Sequence, residues 1–489
     1  MELNFIRDYK PPLFPRILHH VKMYTSNFFL MGFFKRVRQI FKRIFDNIRN
    51  EKVKNNLLQA IPFWVASLLT GLIAVLYTKL FSYAERGTLY VVTHHAWWLF
   101  FVTPLCFLVS WWLVKRFAPY SRGSGIPQVM AAIELATPKY AQKVDKLLSL
   151  RIIVIKIFSS LIMVLGGGVI GREGPTIQIA GSVFRKVLSW LPPWWPKISR
   201  KNMIMTGAAA GLAAAFNTPL GGIVFAVEEL TKTHINYFKT AIFTAVIIAG
   251  LTAQGLLGPY LYLGYPNILH FSSYVIFVVV IVAVITGLAG SAMAKIILSL
   301  LRWKRNFKSW RQHGLYVMVC AIIVVFIAFV FDQTILGSGK TLMTQTLFTD
   351  QKYTPWYSAG FRTLGPILCF TTGASGGVFA PSLSAGAGIG SMLSGWLHLS
   401  PVNTNVIILA GMAGFLTGVT RSPFTSAILV LEMTDRHNLI FHLMLASMVA
   451  SIVSIIVDRH SLYDHLKIDY VHDLHHEDEE VKITPDIAT

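Results

Sequence analysis

From Thr363 to Thr420 the chain carries no Asp, Glu, Lys or Arg, and glycines and prolines punctuate the whole stretch. One membrane helix needs only about 20 apolar residues, so this run is too long for a single span. Its Gly and Pro positions cut it into short or broken helices. In a bilayer such breaks survive only where they are packed inside protein or line a polar cavity. Composition agrees: of 489 residues 54% are hydrophobic and 14% charged, with mean hydropathy +0.55, against roughly 25% charged in soluble domains. Further apolar runs at Leu57 to Thr78, Ala96 to Val114, Tyr274 to Ala294 and Leu439 to Val457 are each long enough to span. These features predict an all-α, multi-pass integral membrane protein.

The net charge is +21, and its placement is informative. Residues 1–54 hold 12 Lys or Arg against 4 acids, immediately before the first apolar run. By the positive-inside rule this puts the N-terminus in the cytoplasm. Within that segment Phe28, Phe29, Leu30, Phe33, Phe34, Ile40, Phe41, Ile44 and Phe45 alternate with Lys35, Arg36, Arg38, Lys42 and Arg43, a pattern suited to an amphipathic helix on the membrane surface. The hydrophobic context argues against nucleic acid as the partner of this basic chain. No cleavable signal peptide is expected, since no compact early apolar segment is followed by small residues. Cys106, Cys320 and Cys369 lie in apolar segments without metal-ligand spacing and read as small buried hydrophobes. The last residues, with His475-His476-Glu477-Asp478-Glu479-Glu480, read as a short polar, solvated tail at 467–489 with no room for a regulatory domain.

A weak repeat runs through the apolar region. Gly207 to Glu228 and Gly411 to Glu432 share one plan: a small-residue helix, a polar break ending in Pro219 or Pro423, then an apolar helix ending in glutamate. Upstream of each lies a Gly-rich break with a proline, Gly171 to Pro175 and Gly376 to Pro381. Repeats of roughly 55–235 and 240–460 within a transport domain of 55–466 follow, and breaks at matching places point to a binding site between the repeats. The residues alone leave open whether the halves are parallel or inverted.

Three breaks carry the chemistry: Gly123-Ser124-Gly125-Ile126-Pro127, Gly171-Arg172-Glu173-Gly174-Pro175 and Gly376-Gly377-Val378-Phe379-Ala380-Pro381. Each places small residues before a proline suited to the first turn of a helix. Each can therefore offer unpaired backbone N–H groups and the positive end of a helix dipole to an anion. Glu173 stands inside one of them. A carboxylate at membrane depth marks a polar path or partner.

In these motifs and their order, with Glu228-Glu229 and Leu431-Glu432-Met433-Thr434-Asp435 downstream, the chain resembles the CLC family of chloride channels and proton-coupled chloride transporters. The resemblance runs from about Leu57 to Tyr463. It implies a multi-pass fold of two inverted repeats with broken, tilted helices, assembled as a homodimer in the lipid bilayer, with chloride and protons as transported ions and no cofactor or metal. It implies that Ser124 and Tyr463 give hydroxyls, and Val378 and Phe379 backbone N–H groups, to a central chloride. Glu173 corresponds to the external gating glutamate, with backbone N–H groups of Arg172, Glu173, Gly174, Phe379 and Ala380 lining the site its carboxylate can occupy. Ionised, Glu173 competes with chloride; protonated, it loses its charge and swings out. Glu229 corresponds to the internal proton-transfer glutamate of the transporters, where channels of the family commonly carry an apolar residue. Glu228 reads as a structural carboxylate at a helix end. Ser124 resembles chloride-preferring members, and Lys156 matches a buried lysine that adds positive potential or pairs with an acid. The resemblance further implies the plasma membrane of a bacterium.

The expected function is exchange of chloride for protons by a secondary active transporter, with a passive voltage- or pH-gated chloride channel as the alternative. An enzyme acting on an acidic lipid with Glu173 as base lacks a partnered nucleophile or metal cluster. Gly337-Ser338-Gly339-Lys340-Thr341 imitates a phosphate-binding loop, but Thr334 stands where that motif needs glycine. His94-His95 borders a membrane segment and reads as interfacial.

Overall fold

The computed structural model describes residues 51–231, 239–258, 261–331 and 333–483. The amphipathic segment expected around residues 28–45 lies outside them, as do the side chains of residues 476–480 in the His/acid cluster. The chain divides into two units, Met1–Ala60 and Ile61–Thr489. Of the first, only the opening turns of a helix are described.

Apolar runs become long helices: α1 (Glu51–His95), α2 (Leu99–Phe117), α5 (Leu150–Leu165), α9 (Lys239–Leu257), α10 (Val275–Lys304), α11 (Trp310–Val330) and α17 (Ile440–Val457). Among the described residues, seven segments are long and apolar enough to cross a membrane. Gly- and Pro-punctuated stretches become shorter or fully enclosed helices. These are α3 (Ile126–Glu134), α4 (Ala141–Leu147), α6 (Glu173–Trp190), α7 (Arg200–Phe216), α8 (Pro219–Phe225), α12 (Lys340–Phe348), α13 (Trp356–Thr371), α14 (Phe379–Trp396), α15 (Pro401–Thr420), α16 (Pro423–Thr434) and α18 (Leu462–Ile483). The charge-free stretch is thus most of α13 and all of α14 and α15. It needs no charge because nearly all of α14 and α15 is buried inside the protein.

Outer helices show the opposite pattern. Phe277 on α10 is 72% exposed and Ile456 on α17 is 80% exposed, as expected of faces that meet hydrocarbon rather than water. Inside, helices approach through small residues, the usual device where lipid removes the hydrophobic drive between helices. A Cβ on Gly386 of α14 would lie 2.2 Å from the Gly411 carbonyl oxygen of α15, and one on Gly418 would lie 2.6 Å from the Gly287 carbonyl oxygen of α10.

The two halves are inverted copies. Glu228 accepts hydrogen bonds from the backbone N–H groups of Phe424 (3.1 Å) and Thr425 (2.7 Å) at the start of α16. Its repeat mate Glu432 accepts from Leu220 (3.0 Å) and Gly221 (2.6 Å) at the start of α8. Each half caps the other, so the contact is isologous, as a two-fold axis requires. Gly171 and Gly377, also mates, exchange both backbone hydrogen bonds, at 2.7 and 2.8 Å, in an antiparallel bridge. Asn217 and Arg421, which end α7 and α15, both adopt left-handed backbone at φ 58° and 61°.

The symmetry extends beyond the sequence repeat. Gly123 and Gly125 have φ of 63° and 107°, and Gly337 and Gly339 have φ of 67° and 90°. Each Gly-Ser-Gly turn opens a helix of 9 residues, α3 or α12. Each preceding loop is held by a buried cation. Lys156 Nζ donates to the carbonyls of Ser121 (3.0 Å) and Gly123 (2.9 Å); Arg362 donates to those of Ile335, Leu336 and Gly337. Among the described residues Lys156 meets carbonyl oxygens rather than an acid. The segment that imitates a phosphate loop is therefore the second-half counterpart of the Ser124 turn.

The C-terminal segment differs from the expected solvated tail. α18 runs through the boundary anticipated at 466, and its residues pack on the elements around α3. Lys467 pairs with Glu134 (3.0 Å), Arg305 with Asp469 (2.8 Å) and Arg122 with Asp473 (2.7 Å). Leu466, Tyr470 and Leu474 at i, i+4 and i+8 are buried. That helical stripe is what holds the segment down.

Candidate functional site

The three breaks meet at the centre of the second unit. A Cβ on Gly174 would fall 2.1 Å from Ser124 Oγ, and one on Gly377 would fall 3.3 Å from the Gly174 N. Only glycine lets these turns approach so closely. Helices α3, α6 and α14 begin there, at Ile126, Glu173 and Phe379, and no side chain caps any of the three. By contrast, α5, α7, α11 and α15 begin at Ser149, Ser199, Ser309 and Ser400, whose hydroxyls accept from the first turn. A helix start buried without a cap leaves N–H donors and a partial positive charge aimed at whatever occupies the space before it.

Polar side chains surround that space. Ser124 and Tyr463 are 1% and 0% exposed. Their hydroxyls face each other, and among the described residues neither meets hydrogen-bond geometry with a protein partner. Buried hydroxyls with spare donors mark a site for an acceptor. Val378, Phe379 and Ala380 are buried at the start of α14, and the Phe379 ring stacks obliquely on Phe216 at 5.7 Å. The resemblance-derived set Ser124, Gly174, Val378, Phe379, Ala380 and Tyr463 is thus brought together.

Glu173, fully buried, opens α6, and its carboxylate faces its own N–H and that of Ala380. It sits where an anion would sit at two helix starts. Arg172 lies beside it, 7% exposed, with its guanidinium 5.9 Å from the Tyr262 ring. Arg172 and Glu173 line a cavity of about 500 Å³ with Glu85, Tyr262, Ser338 and Lys340. This is the mouth nearest Glu173.

Glu229 lies elsewhere, in a wide π-helical turn from Ala226 to Thr231 that continues α8. It is 6% exposed, and its carboxylate accepts from Ser422 Oγ at 2.5 Å. Tyr463 lies within electrostatic reach of both Glu229 and Glu173. Its neighbour Glu228, in the same turn, is committed to the α16 cap. Adjacent acids thus take different roles because the π turn aims them at different partners.

A second cavity, of about 480 Å³, reaches Gly123 from the other side and is lined by Lys115, Arg122, Lys304, Arg305 and Tyr470. Arg122 lies over the Tyr470 ring at 4.9 Å. Burial pushes the Tyr470 phenol above its ordinary range, and Arg122 pulls it back. The sequence reading missed this basic mouth, the Gly337–Gly339 counterpart, and Arg362. A signal for the last two was present: a second Gly-Ser-Gly, and a cation 17 residues before Phe379, as Lys156 stands 17 before Glu173.

His94 and His95 are exposed at the end of α1, and Tyr90 stacks on His94. Asp458, His460 and His465 could gather a metal ion, but Asp458 and His465 already pair with each other at 3.0 Å.

Comparison with known proteins places this geometry in context. The family described as "Voltage gated chloride channel" matches residues 106–455. The H(+)/Cl(-) exchange transporter ClcA of Cronobacter sakazakii is 29% identical over 430 residues, covering 82% of this chain and 87% of that protein. Its namesake from Salmonella typhi is 29% identical over 449 residues, covering 86% and 90%. Among solved structures, a slow cyanobacterial Cl-/H+ antiporter superposes with TM-score 0.73 at 22% identity, covering 85% of this chain and 98% of that one. A CLC-type fluoride/proton antiporter superposes with TM-score 0.70 at 20% identity, with the same coverage. These two likenesses establish the fold.

Proposed function

The chain belongs to the voltage gated chloride channel family, and from that premise we propose that it is a secondary active transporter exchanging chloride for protons. The observation that carries this reading is the meeting of three uncapped helix starts around Ser124 and Tyr463, with a buried carboxylate on either side. The helix starts supply partial positive charge without a full cation, so an anion is attracted and still released.

Glu173 is a tethered anion in the same path. Ionised, it fills the outer part of the site; protonated, it leaves the site to chloride. Glu229 passes protons toward Glu173, with Tyr463 within electrostatic reach of both. A channel needs the first acid as a gate but has no use for the second as a relay. Buried Glu229, which accepts from the Ser422 hydroxyl where its neighbour Glu228 caps a helix, supports exchange.

Lys115, Arg122, Lys304 and Arg305 share one cavity, and Arg122 and Arg305 pair with α18. By the positive-inside rule that face is cytoplasmic, and the N-terminus with it, in the plasma membrane of a bacterium. The apolar groove of Val227, Phe424, Ile428 and Phe441 on α8, α16 and α17, with Phe441 81% exposed, suits the homodimer interface implied by the family, each subunit keeping its own pathway.

Reconstitution into liposomes with a chloride gradient and a pH readout tests the reading. Chloride-driven uphill proton movement is expected. Chloride flux with no proton movement would replace the exchanger with the channel.

A further inference from the structure

We propose that Glu85 is a second tethered anion, seated in the second half's counterpart of the Ser124 site, and that removing it uncovers a second halide site at the mouth nearest Glu173. The proposal rests on the reading of the Ser124 turn as an anion site. It extends that reading to a turn that neither the motifs nor the family resemblance assigned.

Gly337-Ser338-Gly339 has the backbone of Gly123-Ser124-Gly125, down to the left-handed glycines. It opens a helix of the same length and is fixed from behind by its own buried cation, Arg362. Gly339 cannot carry a side chain, since a Cβ there would lie 2.3 Å from Ser384 Oγ. The donors of Ser338 are therefore held in place by the fold.

What differs is the occupant. In the first half the Ser124 hydroxyl faces, among the described residues, another hydroxyl, that of Tyr463. In the second half Ser338 donates both its N–H (3.2 Å) and its hydroxyl (2.6 Å) to one oxygen, Glu85 Oε1. Two donors converging on one anionic oxygen is also how a halide is held, because both are spherical acceptors to a first approximation.

The surroundings favour negative charge. Lys340 stands where the first half has Ile126, its Nζ 4.9 Å from the Tyr262 ring, and Arg172 meets the same ring at 5.9 Å. Glu85, Glu173, Arg172 and Lys340 line one cavity. An anion at Ser338 would thus stand in the vestibule that leads to Glu173. Glu85 is half-buried on α1, and among the described residues its carboxylate takes hydrogen bonds from Ser338 and lies within electrostatic reach of Lys340.

The test uses the full chain in bilayer nanodiscs and in bromide-soaked crystals. Wild type should give anomalous bromide density between Ser124 and Tyr463 and none at Ser338. Glu85→Ala should add a peak at Ser338 and tighten bromide binding from that mouth roughly tenfold, the scale of losing one competing charge-assisted hydrogen bond. Glu85→Ala combined with Ser338→Ala should lose both effects. If Glu85→Ala binds bromide at Ser124 but not at Ser338, with unchanged affinity, the proposal is overturned and Glu85 is only a loop anchor. Absence of bromide from both turns in folded protein would overturn the anion-path reading as well.

Discussion

Two pairs of glutamates sit beside helix starts in this molecule, and they behave differently. Glu228 and Glu432 each dock on two backbone N–H groups across the internal two-fold. They complete the helix ends they meet and tie one half to the other. Glu173 lies at helix starts that no other side chain caps, beside a cavity and a pair of open hydroxyls. Glu229 accepts from the Ser422 hydroxyl and lies within electrostatic reach of Tyr463. A carboxylate that has nowhere else to go is a cap. One that shares its donors with a mobile ion is a gate. The same chemistry is structural or functional according to whether a competitor can reach it.

The comparison breaks most visibly at Glu173. Glu173→Gln removes the charge while keeping the shape, and should reduce coupled proton movement to background while chloride flux persists; proton pumping intact in liposomes would end the gate assignment. Next is Glu229→Gln, expected to lose proton movement with chloride transport retained, measured by the ratio of the two fluxes. An unchanged ratio there would move the proton path away from Ser422 and Tyr463. For the structural pair the expected outcome is reversed. Glu228→Gln or Glu432→Gln should cost about 1–2 kcal/mol each, the scale of a lost helix cap, seen as a lower melting temperature with the flux ratio unaltered. A changed ratio with unchanged melting would mean that these caps also gate. The smallest effect belongs to Tyr463→Phe, which removes one hydroxyl from the central site. Chloride binding measured calorimetrically should weaken several-fold, about 1 kcal/mol for one hydrogen bond, with coupling retained.

Much of the fold was legible because membrane helices are written in long charge-free runs. Leu57 to Thr78, Ala96 to Val114, Tyr274 to Ala294 and Leu439 to Val457 all lie within the observed helices α1, α2, α10 and α17, or overlap them by a few end residues. The three breaks were legible because glycine and proline leave few alternatives to a turn followed by a helix. α18 was not, since its polar outer face hides a buried stripe of Leu466, Tyr470 and Leu474 that has meaning only against α3. In sequence the Gly337–Gly339 turn reads as an incomplete phosphate loop, and its role goes unseen for a related reason. Its Lys340 suggested phosphate, and its kinship to Ser124 lies in backbone angles that residue names do not spell.

The sequence by itself determined that this chain lives in a membrane, that its helices break where glycines precede prolines, and that Glu173 stands at one of those breaks. These follow from local costs, charge in hydrocarbon and ring closure at proline, which each segment meets alone. Only the tertiary structure decided that the halves are inverted, that Glu228 caps a helix start while Glu229 turns to the Ser422 hydroxyl, and that Ser124 and Tyr463, 339 positions apart, face one another. Those outcomes depend on which helix start meets which side chain across the two-fold, and no single segment carries that information.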